Sequence, residues 1–109
     1  MAHDAQRTAR LEVLDGAAGA AVAGGVAAWA ALAVGMGPLA ADRAGRALEA
    51  AVAASAGPVT MSTTIRDDRA VVELTGIGQP ASLVDAMGAV EGADGCIQIV
   101  LRAPQLRRM

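Results

Sequence analysis

Between Gly16 and Ala41 the chain runs for 26 residues without a charged side chain. A fold must either bury such a stretch or place it in lipid. A spanning helix needs about 20 predominantly apolar residues, so the length suffices. The composition argues the other way. The strong apolar formers are Val22, Val26, Leu32, Val34 and Leu39 with Trp29 and Met36, interrupted by Gly19, Gly24, Gly25, Gly35, Gly37 and Pro38. Each strong former contributes only about −0.5 kcal/mol at a helix centre, little against so many interruptions. Asp15 and Asp42 flank the stretch, where a spanning segment would carry basic residues. Asp4, Glu12 and Asp15 stand where a secretory leader needs positive charge. The stretch is therefore expected to fold inside a soluble, cytoplasmic domain, with no membrane partner.

That domain has unusual building material. The 109 residues include 28 Ala and 13 Gly but one Trp and neither Phe nor Tyr, so Val, Leu, Ile and Met must make the core. A chain this short forms one domain and buries only about two-thirds of its unfolded surface. Stability to spare is small, and Trp29 is the expected largest buried anchor. A homodimer or heterocomplex, joined through the first helix or a sheet edge, is expected on the same ground. The net charge of −2 is unsuited to a general nucleic-acid binder. Cys96 is the lone cysteine, which excludes an internal disulfide or a cysteine zinc site and fits a reducing compartment. His3 is the lone histidine, so no His metal cluster and no Ser-His-Asp arrangement can be assembled in one chain. No metal site is expected.

Periodicity divides the chain into elements. Arg10–Leu14 reads as a short strand offering Leu11, Val13 and Leu14 to a core. Small residues favour a helix over about 17–34, although Gly24 and Gly25 each cost roughly 1 kcal/mol relative to Ala. Adjacent glycines in a helix point to close packing against another backbone, more readily inside the domain than on a partner. Gly35, Gly37 and Pro38 stop this helix, and Pro38 opens a second that runs to about Ala56 with Leu39, Leu48 and Val52 as its apolar stripe. Val59–Arg66 alternates, with Val59, Met61, Thr63 and Ile65 on one face. Asp67-Asp68 is a turn, and Arg69–Leu74 returns with Ala70, Val72 and Leu74 inward. Ser82 and Asp85 resemble a capping box for a third helix carrying Leu83, Met87 and Val90, ended by Gly92 and Gly95. Cys96–Arg102 is a last strand with Ile97, Ile99 and Leu101 inward.

The order is β-α-α-β-β-α-β. Each strand after the first has one apolar face, so helices are expected on one side only. This predicts an α/β (α+β) two-layer sandwich, a mixed four-stranded sheet covered on one face by about three helices. Residues 10–104 form the single domain, 1–9 a flexible N-terminal segment, and 105–109 a C-terminal tail.

A helix carrying Glu49 ahead of a hairpin that ends in Gly76-Ile77-Gly78 resembles the Bergerat-fold (GHKL) ATPases, and most closely the bacterial anti-sigma-factor serine kinases. The resemblance spans Arg10 to about Pro104. It implies that Glu49 stands at the general-base position and that Gly76 and Gly78 let the backbone pass close to a nucleotide. Three departures accompany it. The family's magnesium-holding Asn, four residues after the Glu, is Ala53, which has no oxygen for a hard cation. The adenine-binding Asp of Asp-x-Gly-x-Gly is Leu74. Only Gln79 to Ala81 separate Gly78 from Ser82, too few residues for the family's lid.

The expectation is a non-catalytic regulatory module, a pseudokinase-like scaffold that binds proteins and carries no cofactor. The resemblance implies partner switching, with a sigma factor or a STAS-domain anti-anti-sigma factor as partner classes. One alternative is a diverged ATP-dependent serine kinase that uses Glu49 as base with ATP and magnesium. Another is a small membrane or structural protein built on residues 16–41. For Glu49 the bland reading is a solvated helix carboxylate, and for Gly76 and Gly78 it is turn geometry.

Overall fold

Two consecutive helices return the chain to the end of the sheet it left, so the strands before and after them pair antiparallel. A single crossover helix would have made them parallel. A computed structural model describes residues 8–66, 68–78, 83, 90–92 and 95–103. Its elements are β1 (Thr8–Leu14), α1 (Gly16–Ala33), α2 (Pro38–Ala53), β2 (Val59–Arg66), β3 (Arg69–Thr75), β4 (Val90–Glu91) and β5 (Ile97–Arg102). The sheet order is β1-β2-β3-β5-β4. The fold is an α+β two-layer sandwich. Among the described residues the sheet has five strands rather than four, and every pairing is antiparallel rather than mixed. Two helices are seen among the described residues, rather than about three.

The expected third helix falls mostly outside the described residues. Within it Leu83 is helical and buried. Val90 belongs instead to β4, where it pairs with Gln98 of β5. Asp67, the N-terminal segment before Thr8 and the tail after Ala103 also lie outside the described residues.

Alternation along the strands decides which side is covered. On the inner face the register aligns Met61, Leu74 and Ile97 in one row and Thr63, Val72 and Ile99 in the next, all buried. The outer face carries the rows Ser62–Glu73–Gln98, Thr64–Val71–Val100 and Arg66–Arg69–Arg102. A one-residue slip would exchange the two sets and expose the core, so the register is strongly specified.

Of the two residues that β1 was expected to offer the core and whose side chains are described, one is buried. Leu14, opposite Val59, is buried, whereas Val13 is 72% exposed. The side chain of Leu11 lies outside the described residues.

α1 is long and apolar enough to cross a membrane by length and composition alone. Gly19, Ala20, Ala23, Gly24, Val26, Ala27, Ala30 and Ala31 are nonetheless buried within the domain. Its partner α2 buries Ala41, Ala44, Gly45, Leu48, Ala51 and Val52, a regular helical stripe. The helices cross where Gly24 meets Gly45. A Cβ at Gly45 would lie 2.7 Å from the Gly24 carbonyl oxygen, and one at Gly24 would lie 2.9 Å from the Gly45 oxygen. The glycine pairing expected from sequence is thus internal at Gly24, while a Cβ at Gly25 would meet nothing within 4 Å among the described residues.

Two anchors differ from expectation. Trp29 is 41% exposed and Leu39 66% exposed. Helices that approach to backbone contact leave room between them only for Gly and Ala, so the large side chain turns outward.

Candidate functional site

Glu49 occupies an exposed position on α2 and leans on the helix crossing. Its Cβ and Oε1 lie 3.2 and 3.4 Å from where a Gly24 Cβ would stand. Ala53, one turn further along, is exposed and ends the helix. Four residues of helix place the two about 6 Å apart along the axis. Both share a flank of α2, but only Glu49 brings a polar group to it.

Beyond the helix, Ser55 ties the end of α2 to the end of β3. Its hydroxyl donates to the Ala51 carbonyl at 2.9 Å and accepts from the Gly78 N–H at 3.2 Å. The chain reaches that bond through Gly76, whose φ of +99° favours glycine. A Cβ at Gly76 would also strike the Pro58 carbonyl oxygen at 2.7 Å. The Gly-x-Gly segment is therefore brought to the C-terminal end of the helix that carries Glu49. Its local geometry is accounted for by the turn, and the Gly78 amide is already engaged by Ser55.

Leu74 is fully buried, between Met61 and Ile97 in the sheet. The position that the resemblance assigns to an adenine-binding carboxylate is a core position here. Among the described residues no three His, Cys, Asp or Glu side chains gather where they could hold a metal. Chemically, the flank offers the Glu49 carboxylate beside a turn whose amide is spent, while Asp42, nearer the start of the helix, is engaged by Arg46 Nε at 2.8 Å.

A cavity of about 430 Å³ lies on the other flank of α2, bounded by Met36, Ala40, Ala44, Leu101, Arg43 and Arg102. Glu49 has no part in it. A shallower depression of about 330 Å³ on the outer sheet face includes Thr64, Arg66, Arg69 and Glu73. There Asp68 approaches Arg69 at 3.9 Å, the outer limit of an ion pair.

Thr63 is the polar residue whose situation the alternation could not reveal. It is 1% exposed, and its Oγ1 has no hydrogen-bond partner. Its place on the apolar face was legible, but the missing partner depends on what the neighbouring strands and helices present. An unsatisfied buried hydroxyl costs about 1–3 kcal/mol. Thr63→Val, which keeps the shape, should therefore stabilise the domain by about 1 kcal/mol, raising the melting temperature by about 4–8 °C. A thermal melt followed by circular dichroism checks this, and a lowered midpoint would mean that the hydroxyl is bonded in solution.

No family model matches this chain, and no curated protein sequence matches it.

Proposed function

We propose that the chain is a non-catalytic regulatory module on a Bergerat-type scaffold, which works in the cytoplasm by binding proteins in a partner-switching circuit. A sigma factor or a STAS-domain antagonist is the partner class this reading names. The observation that carries it is Leu74, a fully buried leucine where the resemblance calls for a nucleotide-binding carboxylate. Ala53 and the engaged Gly78 amide point the same way. The two-layer sandwich, with a helix pair ahead of the hairpin, supports the reading.

ATP should therefore bind poorly and remain uncleaved. A hydrogen bond to a carboxylate is worth about 1.5–3 kcal/mol, and a leucine in its place adds desolvation of the adenine amine. Losing a magnesium ligand weakens phosphate neutralisation as well. Together these remove about 3–6 kcal/mol, or two to four decades of affinity relative to an intact site. Calorimetry with ATP and magnesium measures it. Glu49→Ala should change stability by no more than about 0.5 kcal/mol, as expected for an exposed carboxylate. Micromolar ATP binding, or phosphate release abolished by Glu49→Ala, would replace this reading with the serine-kinase one. Affinity capture from the source cell, tested against purified sigma and STAS-domain proteins, addresses the partner directly.

A further inference from the structure

A helix on the surface of a soluble domain ordinarily turns polar side chains to water. α1 does not. Its outward positions Ala18, Val22, Gly25, Trp29 and Leu32 recur at intervals of four, three, four and three residues, the spacing of a packing seam between helices. Val22 is 44%, Trp29 41% and Leu32 52% exposed. At 3.6 residues per turn this seam faces directly away from the buried side of α1.

We infer that two copies of this chain pair along these seams, antiparallel, about a two-fold axis at Gly25. Reading outward from Gly25, the seam is small on one arm and large on the other. Antiparallel pairing sets Val22 of each copy against Trp29 of its mate and Ala18 against Leu32, so that the smaller side chain meets the larger at both levels. Parallel pairing would set Trp29 on Trp29 and leave a gap between alanines. It would also bring the two Asp15 carboxylates together and align the helix dipoles unfavourably.

Gly25 supplies an independent reason. Glycine inside a helix costs about 1 kcal/mol relative to Ala, and nothing among the described residues requires it here. At the centre of a helix pair its missing Cβ lets two backbones approach, as Gly24 and Gly45 already do within the monomer. A lipid surface is the weaker occupant, because Asp15 and Asp42 rather than basic residues bracket the uncharged stretch. The pairing does not depend on the function proposed above.

Sedimentation equilibrium and light scattering on the full chain, from micromolar to sub-millimolar concentration, test it. The wild type should dimerise. Val22→Glu with Leu32→Glu should keep the helical circular dichroism and weaken dimerisation by at least about a hundredfold. In a Cys96→Ser background, Ala18→Cys alone should not oxidise to a disulfide-linked dimer. In the antiparallel pair the two copies of residue 18 stand about 21 Å apart along the axis. A mixture of the Ala18→Cys and Leu32→Cys proteins should cross-link to each other. A wild type that stays monomeric throughout overturns the inference. So does cross-linking of Ala18→Cys alone as efficient as that of its mixture with Leu32→Cys. Co-sedimentation of the wild type with phosphatidylcholine–phosphatidylglycerol vesicles, abolished by the double glutamate variant, would assign the face to a membrane instead.

Discussion

Gly24→Ala should destabilise the domain by about 2 kcal/mol, while Gly25→Ala, one residue on, should stabilise it by about 1 kcal/mol. The two glycines share a helix and a propensity penalty, so their difference isolates what each side chain would meet. At Gly24 the new methyl would stand 2.9 Å from the backbone oxygen of Gly45 and 3.2 Å from Glu49 Cβ. A backbone carbonyl cannot swing aside as a side chain can, so α1 and α2 must separate. Overpacking of that kind costs about 1–3 kcal/mol, and the upper end applies where backbone is struck. The helix preference of alanine returns about 1 kcal/mol of it. At Gly25 no atom of the described residues lies within reach and only the gain remains. Urea titrations at a concentration below self-association would read both. For a domain of this size the expected separation in melting temperature exceeds about 10 °C. Equal stabilisation by both changes would mean that the helices do not cross at this pair.

The same crossing explains what could be read from the sequence and what could not. The hairpin was legible residue by residue, because Val59–Arg66 and Arg69–Thr75 alternate and only one phase buries Met61, Val72 and Leu74. Both helices were legible, and Gly35, Gly37 and Pro38 mark the break between them, although α2 ends at Ala53 rather than near Ala56. The orientation of α1 was not. A helix of Ala, Gly and Val has almost no apolar contrast between its faces, so size rather than polarity decides the packing side. Trp29 is the natural candidate for a core anchor, yet the pair Gly24–Gly45 leaves no room for it between the helices. β1 was legible in part. Val13 and Leu14 are adjacent and both apolar, so the pattern offers both to the core, whereas successive strand residues face opposite sides. Leu14 is the one buried, with Gly19 close against its backbone. β4 is two residues long and carries no periodic signal. As for the candidate site, Glu49, Gly76 and Gly78 were found by resemblance, whereas the role of Ser55 in tethering Gly78 was not, because a hydroxyl just past a helix end has many competing uses.

Leu74→Asp should unfold the domain at neutral pH, although it restores the residue the resemblance calls for. Leu74 is 0% exposed and sits in register between Met61 and Ile97. Removing a buried leucine side chain costs about 2–5 kcal/mol even when a small apolar residue replaces it. The introduced carboxyl must then be desolvated among aliphatic side chains, which costs at least about 1–3 kcal/mol as a neutral acid and more as an anion. Total stabilities of about 5–15 kcal/mol leave little after such a loss, least of all in a core made largely of methyl groups. Burial raises the pKa of a carboxyl, so the folded variant would hold its proton more tightly than the unfolded chain. Its remaining stability is therefore greatest below the ordinary carboxyl range near pH 4 and falls as pH rises. Leu74→Met, which conserves volume, should cost less than about 1.5 kcal/mol and show no such pH dependence. Circular dichroism across pH, with calorimetric ATP titration of whatever remains folded, separates two readings of the site. Loss of the fold with no gain in nucleotide affinity fits a position absorbed into the core. A folded variant that binds ATP would mean that the flank carrying Glu49 still encloses a nucleotide site, one substitution away from use.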